Sequence, residues 1–226
     1  MNIVWPYFGV ALLLLWLPRQ WLRAGGPFFK RRRSKPRTPV PGERPDHETN
    51  PNDSTVYFRT EFSKFRNYVD FFRAAIGGLA MVGGGLAIPS ALQPPADASG
   101  WRMVTVLGVR VAILLAGVLI QSIRFEKKAA IFPPIFYLSG LTLGLCGPAV
   151  AFFAVVITWA VNMMLPGPSS FLAIYALLVG AFGFLLRGDD LVLICCAVGL
   201  VYTPVLISML AKRRLVHFSR KVKTDE

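Results

Sequence analysis

The chain has 226 residues, 54% of them apolar and only 16% charged, where a soluble domain carries roughly 25% charged residues. That balance excludes a disordered chain, a collagen-like repeat and a disulfide scaffold, and it argues against an ordinary soluble enzyme. Lysine and arginine number 25 against 12 acidic residues, and the basic residues flank the apolar runs, so the net charge of +13 points to membrane orientation rather than to nucleic acid.

A helix needs about 20 apolar residues to cross the hydrocarbon core. The first run covers residues 3–17 and extends through Trp21 and Leu22 if Arg19 snorkels. Met1-Asn2 carries no basic side chain, and no small-residue cleavage site follows Leu17. Residues 1–23 therefore read as an uncleaved anchor with its N-terminus outside.

Residues 24–54 form a polar linker punctuated by Pro36, Pro39, Pro41, Pro45 and Pro51. Lys30, Arg31, Arg32, Arg33, Lys35 and Arg37 give it a basic inner surface. The first role of this block is a topology signal. Contact with anionic headgroups comes second, each Lys or Arg contributing about 1 kcal/mol. No nucleic-acid-binding fold accompanies it.

Residues 55–70 predict an amphipathic interfacial helix. At 100° per residue Tyr57, Phe58, Phe62, Phe65, Tyr68 and Phe72 share an arc of about 140°. Arg59, Ser63, Arg66, Asn67 and Asp70 fall opposite. The aromatic face is expected in the headgroup layer; the alternative is packing on a partner protein or on the chain's own loops.

A six-span membrane domain is expected over residues 71–211. Its runs are 71–92, 103–123, 131–165, 171–186 and 191–211. The third is too long for one span, and Cys146-Gly147-Pro148 at its midpoint is a turn signal that divides it into two short helices. Seven spans in all place Lys30 to Arg37, the block Arg124, Lys127 and Lys128, and the basic tail 212–226 on one side, as the positive-inside rule requires. The expected fold class is an all-α membrane protein, a polytopic bundle of about seven transmembrane helices with one interfacial amphipathic helix. It would sit in the plasma or inner membrane with its C-terminus cytoplasmic.

Within the spans, Gly78, Gly84, Gly140 and Gly144 recur in small-xxx-small patterns that let helices approach closely. Arg110 lies inside the third run, where a charge at the bilayer centre costs about 2.5–3.5 kcal/mol or more. Its expected role is an ion pair with Asp189 or Asp190, or a snorkel to the outer headgroups; an anion or substrate site ranks behind. No acid is expected deep in a span.

Cys146, Cys195 and Cys196 lie in apolar runs, with neither a CxxC nor a Cys/His cluster. The chain has no nucleophile elbow, Walker loop or HExxH. No catalytic residue, metal or cofactor is expected. The leading functional expectation is a membrane scaffold or assembly subunit, contacting membrane lipids and a membrane-protein partner. The alternative is a small transporter or channel-like protein with an anion-attracting Arg110 in an outward-facing cavity.

Overall fold

The computed structural model describes residues 2–18, 61–83, 89–95, 100–124, 130–212 and 215. The side chains of Arg124, Ala130 and Asp189 lie outside that description, as do the basic block Lys30 to Arg37, Tyr57, Phe58, Gly84 and most of the tail.

Among the described residues the protein is all-helical, with seven α-helices. In chain order they are α1 (Trp5–Trp16), α2 (Phe65–Val82), α3 (Trp101–Ser122), α4 (Ile135–Cys146), α5 (Pro148–Val161), α6 (Pro168–Leu186) and α7 (Leu191–Leu210). Three of these, α3, α6 and α7, are long and apolar enough to cross a membrane. They leave large apolar side chains such as Met103, Leu177, Phe184, Leu185 and Met209 exposed. Apolar surface on that scale is rarely left to water and suggests a membrane-embedded protein.

Two short antiparallel pairings tie the connections. β1 (Asn2–Ile3) pairs with β2 (Leu92–Gln93), and β3 (Ile123–Arg124) with β4 (Ala130–Ile131).

Of the remaining helices, α2 has 18 residues but carries Arg66, Asp70 and Arg73, and the other three are shorter. At 1.5 Å per residue α1 and α4 each extend about 18 Å and α5 about 21 Å, against about 30 Å of hydrocarbon core. Pro134 and Gly147 bound α4, and Pro148 opens α5 at its first helical position, where the missing N–H costs nothing. Gly147 takes φ +85°, a left-handed conformation that reverses the chain between the two helices.

α4 and α2 pack backbone to backbone. Gly140 backs onto the Phe71 carbonyl. A Cβ at Gly144 would lie 2.8 Å from the Ala75 oxygen, and one at Gly78 3.5 Å from the Gly144 Cα. This approach draws dispersion contacts from two backbones at once. Around it sit Leu15, Met81, Leu114, Val118, Leu138, Leu141, Leu172 and Val179, all buried.

α2 departs from the sequence expectation. It runs unbroken from Phe65, with no boundary at residue 70, and ends at Val82 rather than near Leu92. Its polar stripe faces the bundle: Asn67, Asp70 and Arg73 are buried, while Phe65 and Phe72 are exposed. The described aromatic residues divide. Phe62 packs on Phe136 and Trp159 at centroid distances of 5.1 and 5.2 Å, with Tyr68 beside it at 6.3 Å. Helical periodicity reports which residues share a face. In a membrane the apolar face turns outward to lipid and the polar face turns in.

Candidate functional site

Arg110 lies about 14 Å along α3 at 1.5 Å per residue. Its Nη2 donates to Ser90 Oγ at 2.9 Å and to the Leu92 carbonyl. Ser90 sits beside the end of α2 because Gly83, at φ +78°, turns the chain there; a Cβ on Gly83 would meet Ser90 at 2.8 Å. The same connection is fixed by the Ala91 amide donating to the Ala80 carbonyl (2.8 Å) and the Val4 amide donating to the Ala91 carbonyl (3.0 Å).

The expected lock between Arg110 and Asp190 is not formed. α3 and α7 are neighbours, as that lock required. The Asp190 carboxylate instead accepts from Arg187 Nη2 at 3.0 Å, three residues away across the α6–α7 turn. The shorter reach wins, since the turn Gly188–Asp190 folds Asp190 back onto Arg187.

Arg110, Ser90, Arg187 and Asp190 nevertheless share one cavity of about 660 Å³. Its walls are completed by Leu79, Val82, Leu143, Leu145 and Leu193, and the α4–α5 turn contributes Gly147 and Pro148. Arg187 reaches over that turn, its Nη1 3.4 Å from where a Gly147 Cβ would stand. The side chains of Arg187 and Asp190 are 44% and 45% exposed, so the cavity is open at this end.

The charges do not cancel. Arg187 and Asp190 neutralise each other, whereas Arg110 has only neutral acceptors among the described groups. Its Nε is shielded from solvent and makes no hydrogen bond. Helix ends of both signs border this space: α5 and α7 begin there, at Pro148 and Leu191, while α2, α4 and α6 end there, at Val82, Cys146 and Leu186.

A second polar centre lies at the other end of the bundle. The sequence reading expected no acid there, yet Asp70 is 2% and Arg73 5% exposed. Arg73 Nη2 is 3.0 Å from Asp70 Oδ1 and donates to Gln121 Oε1 at 2.7 Å, while its Nη1 donates to the Leu17 carbonyl. Gln121 Nε2 donates to the same carbonyl at 2.9 Å, and the Tyr137 hydroxyl to that of Leu15 at 3.1 Å. The guanidinium stands 5.5 Å over the Tyr137 ring. These groups satisfy the last carbonyls of α1, which a helix end leaves without intrahelical partners. Nearby, Asn67 Nδ2 donates to Glu61 Oε2 at 2.7 Å, and Lys64 pairs with the same carboxylate.

Of the glycines expected at helix contacts, Gly78, Gly140 and Gly144 lie at the α2–α4 contact. Asp189 is placed only by its backbone, in the α6–α7 turn. Among the described residues no three His, Cys, Asp or Glu side chains converge. No family model, curated protein or solved structure matches the chain.

Proposed function

We propose that the chain is a seven-helix integral membrane protein whose outward-facing cavity receives an anion at Arg110, in the manner of a small transporter. One observation carries this reading: a roomy, open cavity in which the charge of Arg110 meets no carboxylate among the described side chains. The basic block Lys30 to Arg37 and the basic tail set the orientation, with the N-terminus outside and the C-terminus cytoplasmic. Whether the short α4–α5 pair crosses the bilayer or dips in and returns, the parity of crossings is unchanged. Phe65 and Phe72 then face lipid, and Lys30 to Arg37 lie against anionic headgroups of the inner face. No catalytic step, metal or cofactor forms part of this reading.

The scaffold reading draws on a different observation. Arg110 holds Ser90 and Leu92, and with them the strand paired to the N-terminus, so the residue also works as a tether. A single experiment separates the two. Leu193→Cys, in a background with Cys146, Cys195 and Cys196 replaced by Ala, puts a thiol on the cavity wall. In right-side-out vesicles, impermeant thiol reagents should label it. Opposite charges about 4 Å apart attract by about 1 kcal/mol in water and like charges repel by as much, so an anionic reagent should react about thirtyfold faster than its cationic analogue. Absence of labelling from outside would leave a dry bundle and return the scaffold.

A further inference from the structure

The walls of the Arg110 cavity describe more than an anion. An inorganic ion would use Arg110 and leave the rest of the space idle. The volume of about 660 Å³ falls in the range that holds one organic molecule. Five of its lining side chains, Leu79, Val82, Leu143, Leu145 and Leu193, are aliphatic and stand away from any hydrogen-bonding duty. The charge is equally specific. With Arg187 held by Asp190 at 3.0 Å, the described side chains leave the cavity one positive charge, enough to compensate one negative charge and not two.

Resting on the anion reading above, we propose that the cavity takes an amphiphilic organic monoanion. Its carboxylate or phosphodiester head sits at Arg110, and its apolar body lies along the aliphatic wall. The head gains charge-assisted hydrogen bonds from the guanidinium in a site partly shielded from water. The body exchanges water for Leu and Val side chains. Both sources of such chemistry are at hand for a membrane protein: a free alkyl carboxylate arriving from the aqueous side, or an anionic lipid headgroup entering from the bilayer.

The test uses the Leu193→Cys protein in phosphatidylcholine nanodiscs and reads protection of the thiol from an impermeant reagent. Butanoate, hexanoate and octanoate should protect at progressively lower concentrations. Each added methylene should strengthen protection about fourfold, until the chain outgrows the wall. Octanol at equal membrane loading should protect at least about tenfold more weakly than octanoate, because it lacks the charge-assisted hydrogen bonds. Arg110→Gln should abolish protection and Arg110→Lys should retain it, which separates loss of charge from loss of fold. Leu143→Ser should weaken the dependence on chain length while leaving butanoate effective. Discs containing phosphatidylglycerol identify the source: protection without added carboxylate assigns the site to lipid, and its absence assigns it to the free acid. Protection by octanol equal to that by octanoate would overturn the proposal. Protection by phosphate or chloride, with no gain from chain length, would overturn the amphiphile and keep the anion site. No protection by any anion would remove both.

Discussion

Arg73 and Arg110 are the same side chain in two opposite settings. Arg73 is buried at one end of the bundle, with an acid 3.0 Å away, a glutamine, a helix-end carbonyl and an aromatic ring around it. Arg110 faces a cavity at the other end with a hydroxyl and a carbonyl as its described partners. The first guanidinium is consumed by the fold: it closes the end of α1 and joins α1, α2 and α3. The second keeps its charge available. Burial alone does not separate the two arginines; compensation of the charge and the volume beside it do.

The largest expected effect breaks the Arg73 side of this contrast. Asp70→Ala leaves Arg73 buried without its carboxylate, at a cost of about 3–5 kcal/mol. Unfolding in detergent should show that loss, and a double-mutant cycle between Asp70 and Arg73 should show strong coupling. The same cycle between Arg110 and Asp190 should be close to additive, because Asp190 belongs to Arg187. Strong coupling there would mean that the lock expected from sequence forms after all.

Gly140→Ala comes next. Its Cβ meets the Phe71 backbone, which cannot yield as a flexible side chain would. Overpacking of this kind costs about 1–3 kcal/mol, and a drop in melting temperature with the cavity labelling otherwise preserved is the expected outcome. Gln121→Leu removes the donor to Leu17 and the acceptor for Arg73, and should cost about 1–3 kcal/mol. Here hydrogen exchange should quicken at the C-terminal turn of α1 ahead of the cavity end. Arg110→Leu should be the mildest of the set in stability, about 1 kcal/mol or less, since it gives up hydrogen bonds to neutral acceptors and relieves an uncompensated charge. Its loss should appear in anion sensitivity.

The contrast also shows what a sequence can carry. Each apolar run holds a helix in the structure, because a run long enough to bury its backbone in lipid has little alternative to helical hydrogen bonding. Gly147-Pro148 announced the α4–α5 turn for a local reason, a left-handed residue followed by one that opens a helix. Arg110 stood out by being charged in an apolar run. The direction of the α2 polar stripe was not legible, since periodicity is the same whether a polar face meets water or protein. The spacing of Asp70 and Arg73, one helical turn apart on that stripe, was the available signal for the buried pair. The cavity was hidden for a different reason. Ser90, Arg110, Gly147 and Arg187 come from four separate segments, and no local pattern in the chain reports that such segments meet.

The most direct measurement compares the labelling of Leu193→Cys by anionic and cationic reagents of equal size, before and after Arg110 is changed. With Arg110 present the anionic reagent should lead by about thirtyfold. Arg110→Lys should keep most of that preference, and Arg110→Gln should bring the ratio to unity or below, with labelling still efficient. A ratio unchanged by Arg110→Gln would show that this charge does not govern the cavity, and the anion site would be contradicted.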